Sequence, residues 1–354
     1  MISLRYNPIP HQYIDRQTDR VTTERLIADP LINRLYSRTR ENAPRLFKAA
    51  TSLRMSAILG FLNFDLRLTG RNKSMARRIQ FMGIDVTECL DTPDTLNTLR
   101  KLFERKIRYW QCRPMPPPGD RIVSPADARM IVGSFNHHDT LFLKEKFFSF
   151  DELIGPDKKR WLQAFERGDF ALLRLTPDKY HYNHVPVSGR VRDIYEISGQ
   201  CHSCNPGAVV SMVTPFSKNR RVVTILDTDV PGGTGVGLVA MIEIVAMMIG
   251  DIVQCYSTHA YDTPCDVVPG MFLERGCPKS LYRPGSSVDV LIFQKGRVAF
   301  SADILANMRR RDVTSRYTHH FRSPLVETDV KVRSEIGYRS TTPCTTGSSL
   351  PHWH

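Results

Sequence analysis

The sequence predicts an α+β chain, with a helical N-terminal section followed by a β-rich domain. Three observations carry this. Residues 20–110 show apolar periodicity near 3.6 and little turn chemistry outside Thr69-Gly-Arg-Asn72. The run Arg113-Pro-Met-Pro-Pro-Pro-Gly119 forbids helix and forces an extended connection. Beyond it come short β-type runs set between Gly, Pro, Asn and Asp clusters. The expected division is a helical, basic section at 1–118, a β-rich domain at 119–338, and a polar, turn-rich tail at 339–354 that is loosely ordered.

The front section is where the charge lies. The chain has 354 residues, 41% apolar and 24% charged, which is ordinary for a globular protein, but its formal net charge is +13. Such a surface attracts polyanions, and charge alone leaves nucleic acid and anionic lipid both open. Between Arg38 and Arg78 there are ten Lys or Arg against two acidic residues, interleaved with Leu46, Phe47, Leu53, Met55, Ile58, Leu59, Phe61, Leu62 and Phe64. That mixture suits a membrane surface, with cations at the headgroups and apolar side chains at the acyl boundary; a solvated helix whose apolar stripe packs on its own domain is the plainer alternative. It does not suit a span: the uncharged run 55–64 is about half the roughly 18 apolar residues a spanning helix needs.

The eight cysteines are scattered, so reduced thiols are expected. Cys201-His-Ser-Cys204 has metal or redox spacing, but no second pair completes a zinc site, and no metal is expected. The N-terminus lacks the apolar stretch of a secretory signal, which makes a reduced, cytoplasmic compartment the expectation.

In the β-rich part, strands are expected at 121–123, 130–135, 170–175, 189–197, 221–226 and 288–293. Residues 238–253 form a long apolar stretch broken by Glu243 and Asp251, and periodicity leaves a buried helix or one or two buried strands open.

Four segments could carry chemistry. Thr176-Pro-Asp-Lys-Tyr-His-Tyr-Asn-His-Val-Pro186 places His181 and His184 three apart after a strand, where two imidazoles can face one cavity and move protons; two surface loop histidines are the plainer alternative. Val123-Ser-Pro-Ala-Asp-Ala128 holds Asp127 at a strand end, either as an orienting carboxylate or as a turn residue. Arg283-Pro-Gly-Ser-Ser-Val-Asp-Val-Leu-Ile-Phe293 puts a Gly-Ser step at the mouth of a strongly apolar strand. Gly285 has no side chain to shield its carbonyl, so a strained turn would open it to the Ser286 hydroxyl in an N-to-O acyl shift. Gly232-Gly-Thr-Gly-Val-Gly-Leu-Val-Ala240 includes a variant dinucleotide fingerprint, but the βαβ rhythm that would support it is absent.

Taken in order, these segments resemble the phosphatidylserine decarboxylase family. Pro125-Ala-Asp-Ala128 is similar to its Pro-x-Asp-Gly segment, and Tyr180-His-Tyr-Asn-His-Val-Pro186 reproduces its Tyr-His-x-x-His-x-Pro. Asn205-Pro, Lys218-Asn-Arg220 and Val245-Ala-Met-Met-Ile-Gly250 resemble further family positions, and Leu102-Phe-Glu-Arg-Lys106 its helical front. The cleavage motif appears as Pro284-Gly-Ser-Ser287; a second Gly-Ser-Ser at 347–349 has no strand behind it. The likeness runs from about residue 30 to residue 337. Departures are Ala128 for glycine, Pro284 before the cleaved glycine, Ser287 for threonine, and Tyr182 where a basic residue is frequent.

The resemblance implies a proenzyme that cuts itself between Gly285 and Ser286. The β subunit would end at Gly285, and the α subunit would begin with a pyruvoyl group made from Ser286, the two remaining associated. It implies a relay of Asp127, His184 and Ser286 with His184 as base, and His181 in substrate positioning or protonation. The implied reaction joins the pyruvoyl ketone to the amine of phosphatidylserine and releases CO2, leaving phosphatidylethanolamine. Peripheral attachment to the cytoplasmic face of an anionic membrane, a homodimer, and no nucleic-acid partner complete the expectation. Two alternatives are weighed against it: a pyruvoyl decarboxylase of free, for example aromatic, amino acids, and a non-catalytic lipid-binding homologue. Arg174 and Lys218 are candidate phosphate ligands.

Overall fold

The structure is a computed structural model and describes residues 9–60, 73–117, 119–135, 146–247, 251–285 and 287–341. Ser286 and the tail beyond residue 341 lie outside the described residues, as does part of the basic front.

In chain order the strands are β1 (Gln12–Asp15), β2 (Arg20–Thr23), β3 (Arg121–Val123), β4 (Ala128–Ser134), β5 (Asp169–Leu175), β6 (Tyr182–His184), β7 (Gly189–Ile197) and β8 (Arg221–Asp227). They continue as β9 (Leu238–Val245), β10 (Ile252–Gln254), β11 (Phe272–Leu273), β12 (Pro278–Tyr282), β13 (Ser287–Phe293), β14 (Val298–Phe300), β15 (Glu327–Val330) and β16 (Glu335–Arg339). A ten-stranded sheet runs β11-β7-β8-β9-β13-β5-β4-β15-β1-β2, and two three-stranded sheets run β10-β12-β6 and β14-β16-β3. The chain is thus α+β, and each expected strand is present.

In the stretch left open by periodicity, Leu238–Val245 form β9 and Ile252–Gln254 form β10, while residues 248–250 lie outside the described residues. β9 is buried along nearly its whole length between β8 and β13, which explains a near-continuous apolar run in place of alternation. The glycine-rich segment before it is the connection of the β8–β9 hairpin. Gly232, Gly235 and Gly237 have φ of 77°, 75° and 79°, a region where side chains are strained, so the glycines serve a turn and not a nucleotide.

β13 is the interior strand that matters for the site. All seven of its residues are buried, and it pairs antiparallel with β9 on one edge and β5 on the other. Ser287 stands opposite Val245 and Leu175, and Asp289 opposite Glu243 and Leu173. Only residues 283–286 separate β12, in a different sheet, from β13.

The helical reading of the front needs correction at its start. Residues 12–23 form the hairpin β1–β2, and β1 lies parallel to β15, some three hundred residues away in sequence. These strands are short and polar, and their pairing is non-local, so no local periodicity reveals them. Helices do occupy Asp29–Arg34, Pro44–Ala50, Leu53–Gly60, Lys73–Met82 and Leu99–Phe103. Among the described residues no helix is long and apolar enough to cross a membrane.

The hairpin is locked by a buried charge cluster. Arg174 on β5 donates to both oxygens of Glu24, at 2.9 and 2.7 Å, and to both of Glu327 on β15, at 2.9 and 2.5 Å, while His11 Nε2 lies 2.8 Å from Glu327. Four of the five guanidinium N–H donors are spent on two carboxylates and the side chain is buried, which removes Arg174 as a ligand for a phosphate. Burial pushes both carboxyls upward, but Arg174 together with Arg129 at Glu24 and His11 at Glu327 outweighs it and holds them well below their ordinary value of 4.5.

Breaking such a cluster strands charge in the interior, so Arg174→Met is expected to lose about 3–5 kcal/mol of stability in urea denaturation. Since folding lowers both carboxyl pKa values, their contribution is complete above about pH 4.5 and disappears as pH falls below it, and the variant should lack this acid sensitivity.

Candidate active site

Backbone hydrogen bonds bring three of the four segments together. The His184 N–H donates to the Pro125 carbonyl at 2.7 Å, which sets β6 beside the segment carrying Asp127. The Tyr282 N–H donates to the His181 carbonyl at 3.1 Å, so His181 anchors the end of β12, from which the chain passes to Gly285. The Arg283 N–H, in turn, donates to the Asp251 carbonyl at 3.1 Å. Gly285 is buried with φ 150°, a conformation that side-chain-bearing residues avoid. The chain is therefore fixed by His181 and Asp251 at residues 282 and 283, and again from Ser287 by β13.

Both histidines are fully buried, so the surface-loop alternative fails. Their tautomers follow from their partners. His181 Nδ1 lies 2.8 Å from the Lys179 carbonyl and His184 Nδ1 2.8 Å from the Gly276 carbonyl. A carbonyl can only accept, so each Nδ1 carries the proton, and each Nε2 of a neutral ring offers a lone pair. Burial lowers both pKa values from 6.5 to about 3, which keeps both rings neutral.

The two lone pairs differ. His181 Nε2 has no hydrogen-bond partner among the described residues, and its ring stacks on Phe103 with centroids 3.5 Å apart. The lone pair of His184 receives the Tyr180 hydroxyl at 2.9 Å, and the Tyr180 oxygen lies 2.6 Å from the hydroxyl of Tyr261. Sequence reasoning missed both tyrosines, although Tyr180 lies in the motif; nothing local marks Tyr261.

Asp127 makes no direct link to His184. Its oxygens accept from Arg113 Nε at 3.0 Å and Nη2 at 2.7 Å, and from the Val332 N–H at 2.8 Å. Arg113 also donates to Glu88 at 2.7 and 2.8 Å. Burial raises the Asp127 carboxyl, but the Arg113 and Lys331 charges dominate and hold it far below the carboxylate range. Arg113, visible in the sequence only as the residue before the prolines, joins the helical front to the β-rich body. Ala128, in the place of the family glycine, opens β4 in extended conformation and carries no strain.

A second group lies beneath the site. Glu243 accepts from Lys279 at 2.7 Å, Gln254 at 3.1 Å and Asn183 at 3.2 Å, and also from Ser280, between the main sheet and β10-β12-β6. In sequence Glu243 is only a break in an apolar run; its partners come from three other strands. Cys201 and Cys204, by contrast, are buried in the apolar core.

Two neutral, buried imidazoles thus lie on the elements that lead to Gly285, whose own conformation is one that favours glycine. The family comparison agrees in kind. The sequence profile of the phosphatidylserine decarboxylase family matches residues 99–312, more than half of the chain. Phosphatidylserine decarboxylase proenzyme of Fusobacterium nucleatum is 25% identical over 86% of this chain and 95% of its own length. That of Ruminiclostridium cellulolyticum is 26% identical over 83% and 91%. Phosphatidylserine decarboxylase proenzyme 3 of Schizosaccharomyces pombe is 26% identical over 92% of this chain but 30% of its own length. The chain belongs to the phosphatidylserine decarboxylase family.

Because folding lowers both histidine pKa values, the unfolded chain binds protons first, and each ring costs stability as pH falls from 6.5 towards 3. Imidazole 15N spectra at about pH 5 should show His181 and His184 as neutral Nδ1–H tautomers; imidazolium signals there would contradict the assignment.

Proposed function

We propose that this chain is a phosphatidylserine decarboxylase proenzyme that cuts itself at Gly285-Ser286 and converts phosphatidylserine to phosphatidylethanolamine and CO2. The observation that carries this is the clamped segment: Gly285 at φ 150°, held between the His181 carbonyl on one side and the interior strand β13 on the other.

Self-processing then follows from the chemistry of that step. The Ser286 hydroxyl attacks the Gly285 carbonyl, and the amide C–N bond breaks as an ester forms and the Ser286 nitrogen takes a proton. Elimination expels the Gly285 carboxylate and leaves a dehydroalanine at 286. Its enamine tautomerises to an imine, and water converts that to a ketone with loss of ammonia. His184 is the base for the hydroxyl proton once the Tyr180 hydroxyl turns away from Nε2, and His181 holds or delivers the proton at the substrate carbon through its open Nε2. Asp127 acts at a distance from the proton, fixing Arg113 and the chain at Val332.

The residues at hand fit a pyruvoyl group at position 286: a glycine conformation precedes it, a histidine lone pair without a partner among the described residues lies on the adjoining backbone anchor, and the following strand is buried on both faces. Such a group supplies an electrophilic ketone that engages the substrate amine and accepts the electron pair released with CO2. The cleaved chain keeps its fold, because the α subunit contributes β13 and β15, both interior strands whose neighbours belong to the β subunit.

The front section supports a peripheral seat on the cytoplasmic face of an anionic membrane. Leu31, Leu46 and Phe81 are exposed at 67%, 61% and 59%, beside exposed Arg45, Lys48 and Arg77. Exposed bulky apolar groups among cations are what an acyl boundary under anionic headgroups accommodates.

The purified, cleaved protein is expected to sediment with phosphatidylserine vesicles, less so at high salt, and to release CO2 from them. Turnover of free amino acids with none on the lipid would overturn the substrate assignment.

A further inference from the structure

Tyr282 closes β12 four residues before Ser286, and its side chain reaches past the proposed cut to the strand beyond it. The side chain is fully buried. Its hydroxyl oxygen receives the Ile244 N–H at 3.0 Å and lies 3.1 Å from the Val288 carbonyl and 2.6 Å from Asp289 Oδ1. Ile244 and Val288 are register partners in the β9–β13 ladder. The phenol is therefore inserted into that ladder, bridging an N–H and a carbonyl one pair away from Ser287.

The hydrogen-bond accounting around this hydroxyl closes in one way. Val288 can only accept and Ile244 can only donate, and a phenol has one proton to give and two lone pairs to fill. All three contacts are satisfied at once when Tyr282 donates to Val288 and accepts from Ile244 and from a protonated Asp289. Burial, together with Glu243 directly opposite on β9, pushes the Asp289 carboxyl well above the carboxylate range, which is the protonated state required. The nearby Lys279 ammonium bonds to Glu243 and Gln254 instead of Asp289.

We propose that Tyr282 and the neutral Asp289 are positioning residues for self-cleavage, stapling the chain on both sides of the Gly285-Ser286 bond so that the Gly285 carbonyl is presented to the hydroxyl that attacks it. This rests on cleavage at Gly285-Ser286. The staple shortens the free span to a few residues, which converts a search over loop conformations into a fixed approach. After the cut, the same bonds join the end of the β subunit to the start of the α subunit.

The test follows cleavage over time after cell-free synthesis of the full chain, read by intact mass, for wild type, Tyr282→Phe, Asp289→Leu and Asp289→Asn. Tyr282→Phe keeps the ring, and circular dichroism checks each fold. Loss of one buried hydrogen bond from the staple should slow cleavage about tenfold in Tyr282→Phe and Asp289→Leu. Asp289→Asn restores a neutral group able to donate to Tyr282 and should cleave within about threefold of wild type, a rescue that a need for the carboxyl itself would not give. Wild-type rates in Tyr282→Phe and Asp289→Leu, or an Asp289→Asn variant as slow as Asp289→Leu, would overturn the proposal while leaving the cleavage reading intact. A wild-type chain that stays whole removes both.

Discussion

The interior position of β13 is the constraint on which the rest depends. A strand with hydrogen-bond partners on both edges cannot slide or peel away without breaking two ladders at once, and its first residue, Ser287, is fixed by Val245 and Leu175. Everything that bears on Gly285-Ser286 is referred to that fixed point. The preceding strand, β12, belongs to another sheet, so the chain must cross between sheets in four residues, and a glycine at φ 150° makes the crossing feasible. The same constraint bears on the proposed cut, which precedes the first paired residue of β13, so that the strand behind it keeps both ladders.

Around this fixed strand the interior is unusually polar, and it tolerates that because charge and hydrogen bonding are matched. Arg174 is enclosed by two carboxylates, Arg113 by two more, and Lys279 by Glu243 and Gln254. Three buried titratable groups without a counter-charge in contact are neutral: His181 and His184 as uncharged rings, and Asp289, its carboxyl raised by burial, as an acid. A paired charge supports the framework, whereas a neutral titratable group keeps a proton or a lone pair available. Nε2 of His181, without a partner among the described residues, is such a lone pair, and it lies on the residue that anchors the chain before Gly285.

Much of this was legible in the sequence. Short apolar runs between turn residues marked β4, β5, β7, β8 and β13 closely, because each is local and bounded by Gly, Pro or Asp. The spacing of His181 and His184 and the Gly-Ser step before β13 pointed to the site. What stayed hidden depends on distant partners. The β1–β2 hairpin is defined by β15 and Arg174, Asp127 by Arg113, and the hydrogen bond on His184 by Tyr180 and Tyr261. Glu243 looked like an interruption of an apolar run because its partners Asn183, Gln254, Lys279 and Ser280 are scattered along the chain. Spacing identified the groups that could react, while their protonation states and partners belong to the folded chain.

The central claim is that residue 286 becomes the reactive group by cleavage of the bond before it. The intact mass of the purified protein beside a Ser286→Ala variant addresses this most directly. Two fragments are expected from the wild type, one ending at Gly285 and the other beginning with a blocked pyruvoyl residue, and the variant is expected unbroken. A wild-type chain that remains whole after native purification would contradict it.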